Sequence, residues 1–159
     1  MTMTPTLIVL VGLSLIALVY LIFPRRLTIT RIVDGDSLEA LYRGRSARIR
    51  LAGYDAPEYR QPAGFEARAA LVKITKAHTL RILLPRRDRY GRLLGISFAG
   101  ILPVSWRMVL AGYGWPEGKI GFILSLLPRI AHRGLWRHPK PVHPSFWRAI
   151  NPSQHPADM

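Results

Sequence analysis

The alternation of apolar and polar positions divides the chain into an apolar N-terminal run, a β-rich middle and a more helical C-terminal part. From Leu27 onward, β-branched residues and turn residues alternate in a way that predicts five short strands. The first strand begins at Leu27. The other four cover Ser37 to Tyr42, Ala47 to Leu51, Thr79 to Leu84, and Leu93 to Phe98. Apolar spacing from Phe65 to Lys76 predicts a helix between the third and fourth strands. This order indicates an α+β protein built on a five-stranded OB-fold β-barrel with packed helices.

Beyond the fifth strand, the sequence pattern predicts two helices and a tail. Val104 to Leu110 forms the first helix. Lys119 to Ala131 forms the second, although it is apolar on more than one face and contains Pro128. We expect this second helix to pack under the barrel, with contact to a membrane surface as the alternative. Residues 138–159 are rich in proline and histidine and predict an extended tail that is mobile at its end.

Residues Leu7 to Phe23 form an apolar run interrupted only by Gly12 and Ser14. At about 1.5 Å per residue, a helix of this length nearly spans a hydrocarbon core of roughly 30 Å. A cleaved signal peptide is the competing interpretation, but no basic residue precedes the run and no cleavage-like site follows it. We therefore expect residues 1–24 to form one N-terminal transmembrane helix, followed by a domain over residues 25–137.

The charge balance narrows the class of partner. The chain carries 23 Lys and Arg residues against nine Asp and Glu residues, for a formal charge of +14. No charged side chain precedes Arg25, so the whole excess belongs to the part that follows. Such an excess favours a polyanion, either nucleic acid or an anionic membrane surface. The absence of cysteine excludes disulfides and thiolate sites.

Candidate chemistry lies in three short turns. Four of the nine acids fall in two of them, namely Asp34, Asp36, Asp55 and Glu58. The predicted strands bring those two turns to one rim of the barrel, where clustered acids repel each other unless a cation lies among them. Oxygen ligands alone indicate a hard ion, Ca²⁺ or Mg²⁺. Guanidinium groups that match phosphate oxygens are expected nearby, from Arg50, Arg89 and Arg92.

Each motif taken alone has an ordinary explanation as a turn or a solvated charge. Their joint occurrence predicts hydrolysis of a phosphodiester, because that reaction needs a metal, a carboxylate base and cationic clamps. Tyr90 would either pack or stack on a base.

At these motifs the chain resembles the thermonuclease (staphylococcal nuclease-like) family. The matching stretches are Val33-Asp34-Gly35-Asp36-Ser37, Arg50 to Glu58, Asp88 to Arg92, and Gly134-Leu135-Trp136. The resemblance covers roughly Leu27 to Trp136. It departs from the family pattern at Ser37, where Thr is usual, at Tyr54, and in the leucine-rich segment before Gly134.

The resemblance implies a role for each site residue. Asp36, Asp55 and the main-chain carbonyl of Ala56 would bind Ca²⁺, and Asp34 would support them without touching the ion. Glu58 would position or deprotonate the attacking water, and Arg50 and Arg92 would hold the phosphate. Arg89 and Tyr90 are further candidate contacts to nucleic acid.

The function expected from these observations is a calcium-dependent nuclease that hydrolyses phosphodiester bonds of DNA and RNA with low sequence specificity. The alternative is a catalytically weak or inactive OB-fold nucleic-acid-binding module at the membrane. We expect a monomer. Positive residues after the apolar run place the domain in the cytoplasm. A weak calcium site and an indiscriminate nuclease instead favour the outer, periplasmic or extracellular side, which is the location we predict.

Overall fold

The computed structural model describes residues 9–14 and 23–151. This part is an α+β fold with a curled half-barrel sheet, consistent with an OB-like fold. Its strands are β1 Arg25–Arg26, β2 Thr28–Ile32, β3 Ser37–Tyr42, β4 Arg45–Leu51, β5 Tyr54–Asp55, β6 Leu80–Arg87, β7 Leu93–Ala99, β8 Leu102–Pro103 and β9 Trp115–Pro116. Its α-helices are α1 Gly64–Ala77, α2 Val104–Leu110, α3 Gly118–Ile130 and α4 Pro144–Ile150, and Gly134–Arg137 is a 3₁₀-helix.

The main sheet has the strand order β1-β6-β7-β4-β3-β2, with β8 paired to β7. Its two outer strands are consecutive in the chain and separated only by Leu27, whose N–H donates to the Leu80 carbonyl at 2.9 Å. The same stretch of chain therefore reaches both ends of the sheet, which curls the sheet. β4 and β7 pair in parallel, and β5 and β9 form a separate two-stranded sheet.

The prediction of a simple five-stranded barrel is wrong in its strand count. The first predicted strand is divided between two partners, since β1 pairs with β6 and β2 pairs with β3. β5, β8 and β9 have two residues each, which is too short for an alternating pattern to show. The strand β6 also continues to Arg87, beyond the predicted end of the fourth strand at Leu84. The predicted helix between the strands is confirmed as α1.

The helix α3 packs through its small residues. Gly121, Ser125 and Pro128 are buried. The large apolar residues Ile120, Ile123, Leu127 and Ile130 are exposed, whereas Leu124 is partly buried against the core. Small side chains at the contact let the helix approach its neighbours closely, and the large ones are left on the outer face.

The extended conformation predicted for the tail is wrong at α4. His143 precedes this helix, and its side chain accepts a hydrogen bond from the Ser145 N–H. Pro144 occupies the start of the helix, where a proline costs nothing because the first N–H groups have no helical partner. The tail residues 152–159 lie outside the described residues.

The predicted membrane anchor and the membrane localisation are corrected. Of the run from Leu7 to Phe23, the structure describes residues 9–14, which are helical, and Phe23; the rest lies outside the described residues. No helix within residues 9–14 and 23–151 is both long and apolar enough to cross a membrane.

Candidate active site

The first two charged motifs are brought together by the pairing of β3 with β4. Ser37 lies opposite Arg50 in this antiparallel pair, so the turn before β3 and the loop after β4 emerge side by side. Gly35 lets the turn before β3 approach the loop after β4 closely, because a Cβ at Gly35 would lie 2.6 Å from the Cβ of Ala56. The buried Tyr54 hydroxyl donates to the Gly35 carbonyl at 2.7 Å and ties the loop to the turn. The departure at Tyr54 therefore adds a contact.

Asp34 and Asp36 are both buried, and they form different contacts. Asp34 Oδ1 accepts hydrogen bonds from the N–H groups of Asp36 at 2.9 Å and Ser37 at 2.7 Å, which closes the turn. Asp36 Oδ1 accepts from the Ser37 hydroxyl at 3.0 Å, and Oδ2 accepts from the Ala56 N–H at 2.7 Å. Asp34 thus organises the turn, and Asp36 reaches across to the second motif.

Arg50 joins the two motifs electrostatically. Its Nη1 contacts Asp36 Oδ1 and its Nη2 contacts Asp55 Oδ1. Burial and the nearby charge of Asp34 raise the pKa of Asp36 to about 8. Burial also acts to raise the pKa of Asp55, but Arg50 and Arg148 outweigh it and hold that pKa below its usual value. Asp36 and Asp55 share one guanidinium, yet their pKa values are shifted in opposite directions.

Glu58 is also largely buried, and its partner comes from the far end of the chain. Arg148, in α4, donates from Nη1 to Glu58 Oε1 at 2.6 Å and from Nη2 to Asp55 Oδ2 at 3.0 Å. Burial raises the pKa of Glu58, although the hydrogen bond from Arg148 acts in the opposite direction. A carboxyl group with a raised pKa is a stronger base once it is ionised.

The third motif is a hairpin turn between β6 and β7. Asp88 Oδ2 accepts from Arg92 Nε at 2.8 Å, and Asp88 Oδ1 accepts from the N–H groups of Tyr90 and Arg92. Arg89 and Arg92 lie over the Tyr90 ring, at 4.8 Å and 5.2 Å from its centroid. The Tyr90 side chain is 56% exposed, which leaves much of its surface accessible for stacking.

One cavity of about 430 Å³ unites the three motifs. It is lined by Asp34, Arg50, Glu58, Arg89, Tyr90 and Arg92 from the predicted set, and by Arg148. Arg31 and Arg48 also line it, so its rim carries six arginines. Among the described residues, Asp36, Asp55 and Ala56 do not line the cavity themselves. Asp36 and Asp55 touch Arg50, which does.

The donor set fits a divalent cation in its chemistry. Two guanidinium groups, Arg50 and Arg148, are paired with the acids of this cluster. The acids number four, namely Asp34, Asp36, Asp55 and Glu58, so the cluster has a formal excess of two negative charges when all four are ionised. Within residues 9–14 and 23–151, no three side chains of His, Cys, Asp or Glu are arranged as a complete metal site. A site here would therefore use two carboxylates, and main-chain oxygens or water would complete it.

Three contributors to the site were not predicted from the sequence. Asp88 was recognised as part of a motif but given no role, whereas it holds Arg92. Gln61 is buried and accepts from the Glu58 N–H at 3.1 Å. Arg148 lies 90 residues from Glu58 along the chain. The Asp88 and Gln61 contacts span only four and three positions, whereas the Arg148 contact cannot be read from sequence spacing.

Comparison with known proteins agrees with this geometry. The family described as staphylococcal nuclease homologue matches residues 48–120. The chain is 34% identical over 126 residues to an uncharacterized endonuclease of Escherichia coli O157:H7, covering 76% of this chain and 82% of that protein. It is 30% identical over 136 residues to a micrococcal nuclease of Shigella flexneri, covering 76% and 78%.

A plant relative is similar over a shorter part. The probable staphylococcal-like nuclease CAN2 of Oryza sativa subsp. japonica is 34% identical over 109 residues, covering 65% of this chain and 30% of that protein. The chain therefore belongs to the thermonuclease-like family of staphylococcal nuclease homologues, whose members are hydrolytic nucleases.

Proposed function

We propose that the protein is a calcium-dependent nuclease that hydrolyses phosphodiester bonds of DNA and RNA with low sequence specificity. The observation that carries this proposal is the cavity, because three motifs far apart in sequence supply two carboxylates, Asp34 and Glu58, and several guanidinium groups to a single space. Family membership supports the reaction class. Nucleic acid as the substrate agrees with the +14 charge of the chain.

Glu58 is the proposed general base. Its carboxylate lines the cavity, and burial raises its pKa, which strengthens it as a proton acceptor. In the proposed reaction, water attacks the phosphorus atom and transfers a proton to Glu58. The bond from phosphorus to the 5′-oxygen breaks, and the leaving oxygen takes up a proton from solvent water, which leaves a 3′-phosphate on one product and a 5′-hydroxyl on the other.

Arg50 and Arg92 are the proposed phosphate clamps. A guanidinium has five N–H donors, and the contacts of Arg50 to Asp36 and Asp55 leave donors for a phosphate. Asp88 holds Arg92 through Nε, so its two terminal nitrogens are available to the cavity. Both guanidinium groups would stabilise the charge that builds on the phosphate.

Asp36, Asp55 and the main-chain carbonyl of Ala56 are the proposed calcium ligands. A calcium ion bound there would polarise a phosphate oxygen and balance the negative charge of the cluster. Asp34 would keep the turn in shape through its two main-chain hydrogen bonds. Calcium rather than magnesium is the choice implied by the family resemblance.

Low sequence specificity is expected from the contacts that the cavity residues can make with nucleic acid. The cavity is rich in arginine, and contacts from arginine to phosphate carry no sequence information. Tyr90 and Arg89 at the rim would stack on a neighbouring base, an interaction that every base tolerates.

The test is cleavage of labelled DNA and RNA of mixed sequence by the purified protein. Calcium should support cleavage of both substrates, and a chelator should abolish it. Magnesium at the same concentration serves as the matched ion control. Binding of nucleic acid without cleavage in calcium would contradict the proposal and favour a binding module.

A further inference from the structure

The helix α4 contributes a guanidinium to the candidate active site. Arg148 spans two carboxylates, with Nη1 at 2.6 Å from Glu58 Oε1 and Nη2 at 3.0 Å from Asp55 Oδ2. The side chains of Glu58 and Asp55 are only 12% and 10% exposed. The planar guanidinium of an arginine can hold two acceptors in fixed relative positions, which the ammonium of a lysine cannot.

The tail is anchored beside Asp55. Trp115 lies opposite Asp55 in the pairing of β5 with β9. The Trp115 ring packs against Trp136, with centroids 4.8 Å apart, and against His143 at 4.9 Å. His143 is the residue that caps α4, so the strand next to Asp55 also sets the position of the helix that carries Arg148.

A second connection holds the main chain of Glu58. The side-chain oxygen of Gln61 accepts from the Glu58 N–H at 3.1 Å, and its nitrogen donates to the Val142 carbonyl at 2.6 Å. Gln61 is buried, so both bonds are shielded from water. The tail therefore restrains Glu58 both at its backbone and at its carboxylate.

The contacts on Glu58 are unequal. Oε1 accepts from Arg148, whereas Oε2 accepts no hydrogen bond from the described part of the chain. We propose that Arg148 is a positioning residue, an inference that rests on the proposed nuclease function. It holds one oxygen of Glu58 and leaves the other available to the attacking water, and it fixes Asp55 from the side opposite Arg50. Arg148 acts through these carboxylates and need not touch the substrate.

The test measures kcat and KM for Arg148→Met, Arg148→Lys and Glu58→Gln, and for the double variant Arg148→Met/Glu58→Gln, in calcium and with excess enzyme where turnover is slow. Loss of a residue that orients a site group typically costs about 10- to 100-fold in activity. Arg148→Met should lower kcat by that order while KM stays near the wild-type value. Arg148→Lys keeps the charge but cannot bridge two acceptors, so it should recover only part of the loss.

The double variant separates positioning from simple structural support. Groups that act through one another are not additive, so most of the effect of Arg148→Met should vanish when Glu58 is already glutamine. Arg137→Met is the matched control, because Arg137 is exposed and forms no ion pair within residues 9–14 and 23–151. It should keep the wild-type kcat.

Three results would overturn the inference: an unchanged kcat in Arg148→Met, a rise in KM alone, or an equal loss in both backgrounds. Should Arg148→Met fail to fold, Arg148→Lys decides the matter, since wild-type kcat in that variant would exclude a bridging role. Inactivity of the wild-type protein would instead contradict the proposed nuclease function, so the two failures are distinguishable.

Discussion

The two sides of the cavity are built in different ways. The acidic side lines the cavity through Asp34 and Arg50, and Arg50 is paired with Asp36 and Asp55. It is held by contacts that cross between motifs, such as the Asp36 to Ala56 bond over 20 positions. The turn side, formed by residues 88–92, is held by contacts that span four positions or fewer. The side chain of Asp36 is 2% exposed, against 27% for Arg92. The acidic side is therefore part of the folded core, whereas the turn side is a local structure attached to it.

Because of this difference, we expect substitutions on the two sides to affect stability differently even where both reduce nuclease activity. A substitution on the acidic side removes a contact on which the fold also depends. A substitution on the turn side removes a group from the cavity and disturbs few other contacts. Arg50 and Arg92 form a natural pair for the comparison, because both are proposed to bind the same phosphate.

The largest effect is expected for Arg50→Met compared with Arg92→Met. The first leaves two buried carboxylates without their shared cation, which typically costs about 3–5 kcal/mol in unfolding free energy. The second breaks a partly exposed pair, worth about 1 kcal/mol or less. Denaturant unfolding in a chelator measures both free energies, and nuclease assays should show severe loss in each variant. Equal losses of stability would contradict the distinction.

An effect of pH on stability is also expected, through Asp36. Burial and the charge of Asp34 raise its pKa from about 3.8 to about 8. Between those values the folded protein keeps a proton that the unfolded chain releases, so rising pH lowers the unfolding free energy. Asp36→Asn cannot titrate and should lack this contribution. In a chelator, melting temperatures from pH 4 to 8 should show the wild-type protein losing stability relative to Asp36→Asn. Parallel curves would refute the prediction.

The smallest effect is expected from calcium on the melting temperature. An ion that binds only the folded state at about 100-fold above its Kd stabilises by about 2.7 kcal/mol. With few protein ligands, we expect a Kd on the order of 10⁻⁴ to 10⁻³ M. Asp36→Asn should need more calcium for the same shift, while Arg92→Met should respond like the wild type. A wild-type melting curve that ignores saturating calcium would count against the site.

Much of the acidic side was predictable from the sequence, because it depends on local patterns. β3 and α2 have the predicted bounds, Ser37–Tyr42 and Val104–Leu110. Once β3 and β4 form a hairpin, their register brings the two acidic motifs together. Alternation along strands and turn residues at their ends carry this information.

Two features that the sequence did not predict share a physical cause, which is dependence on distant packing. The position of Arg148 depends on Trp115, Trp136 and His143 meeting in space. The buried face of α3 is set by close approach at Gly121 and Ser125, which hydrophobic periodicity does not reveal. The apolar N-terminal run suggested a membrane anchor from composition alone, and no helix of the described chain is long and apolar enough to be one.

The central claim is that Glu58 accepts the proton of the attacking water in a calcium-dependent hydrolysis. Glu58→Gln keeps the size of the side chain and an oxygen for Arg148, and it removes the base. Single-turnover cleavage of DNA in saturating calcium, with binding measured in parallel, tests this claim most directly. The rate should fall by about 10²- to 10⁴-fold while nucleic acid still binds. A rate near that of the wild-type protein would show that Glu58 is not the base and would contradict the account.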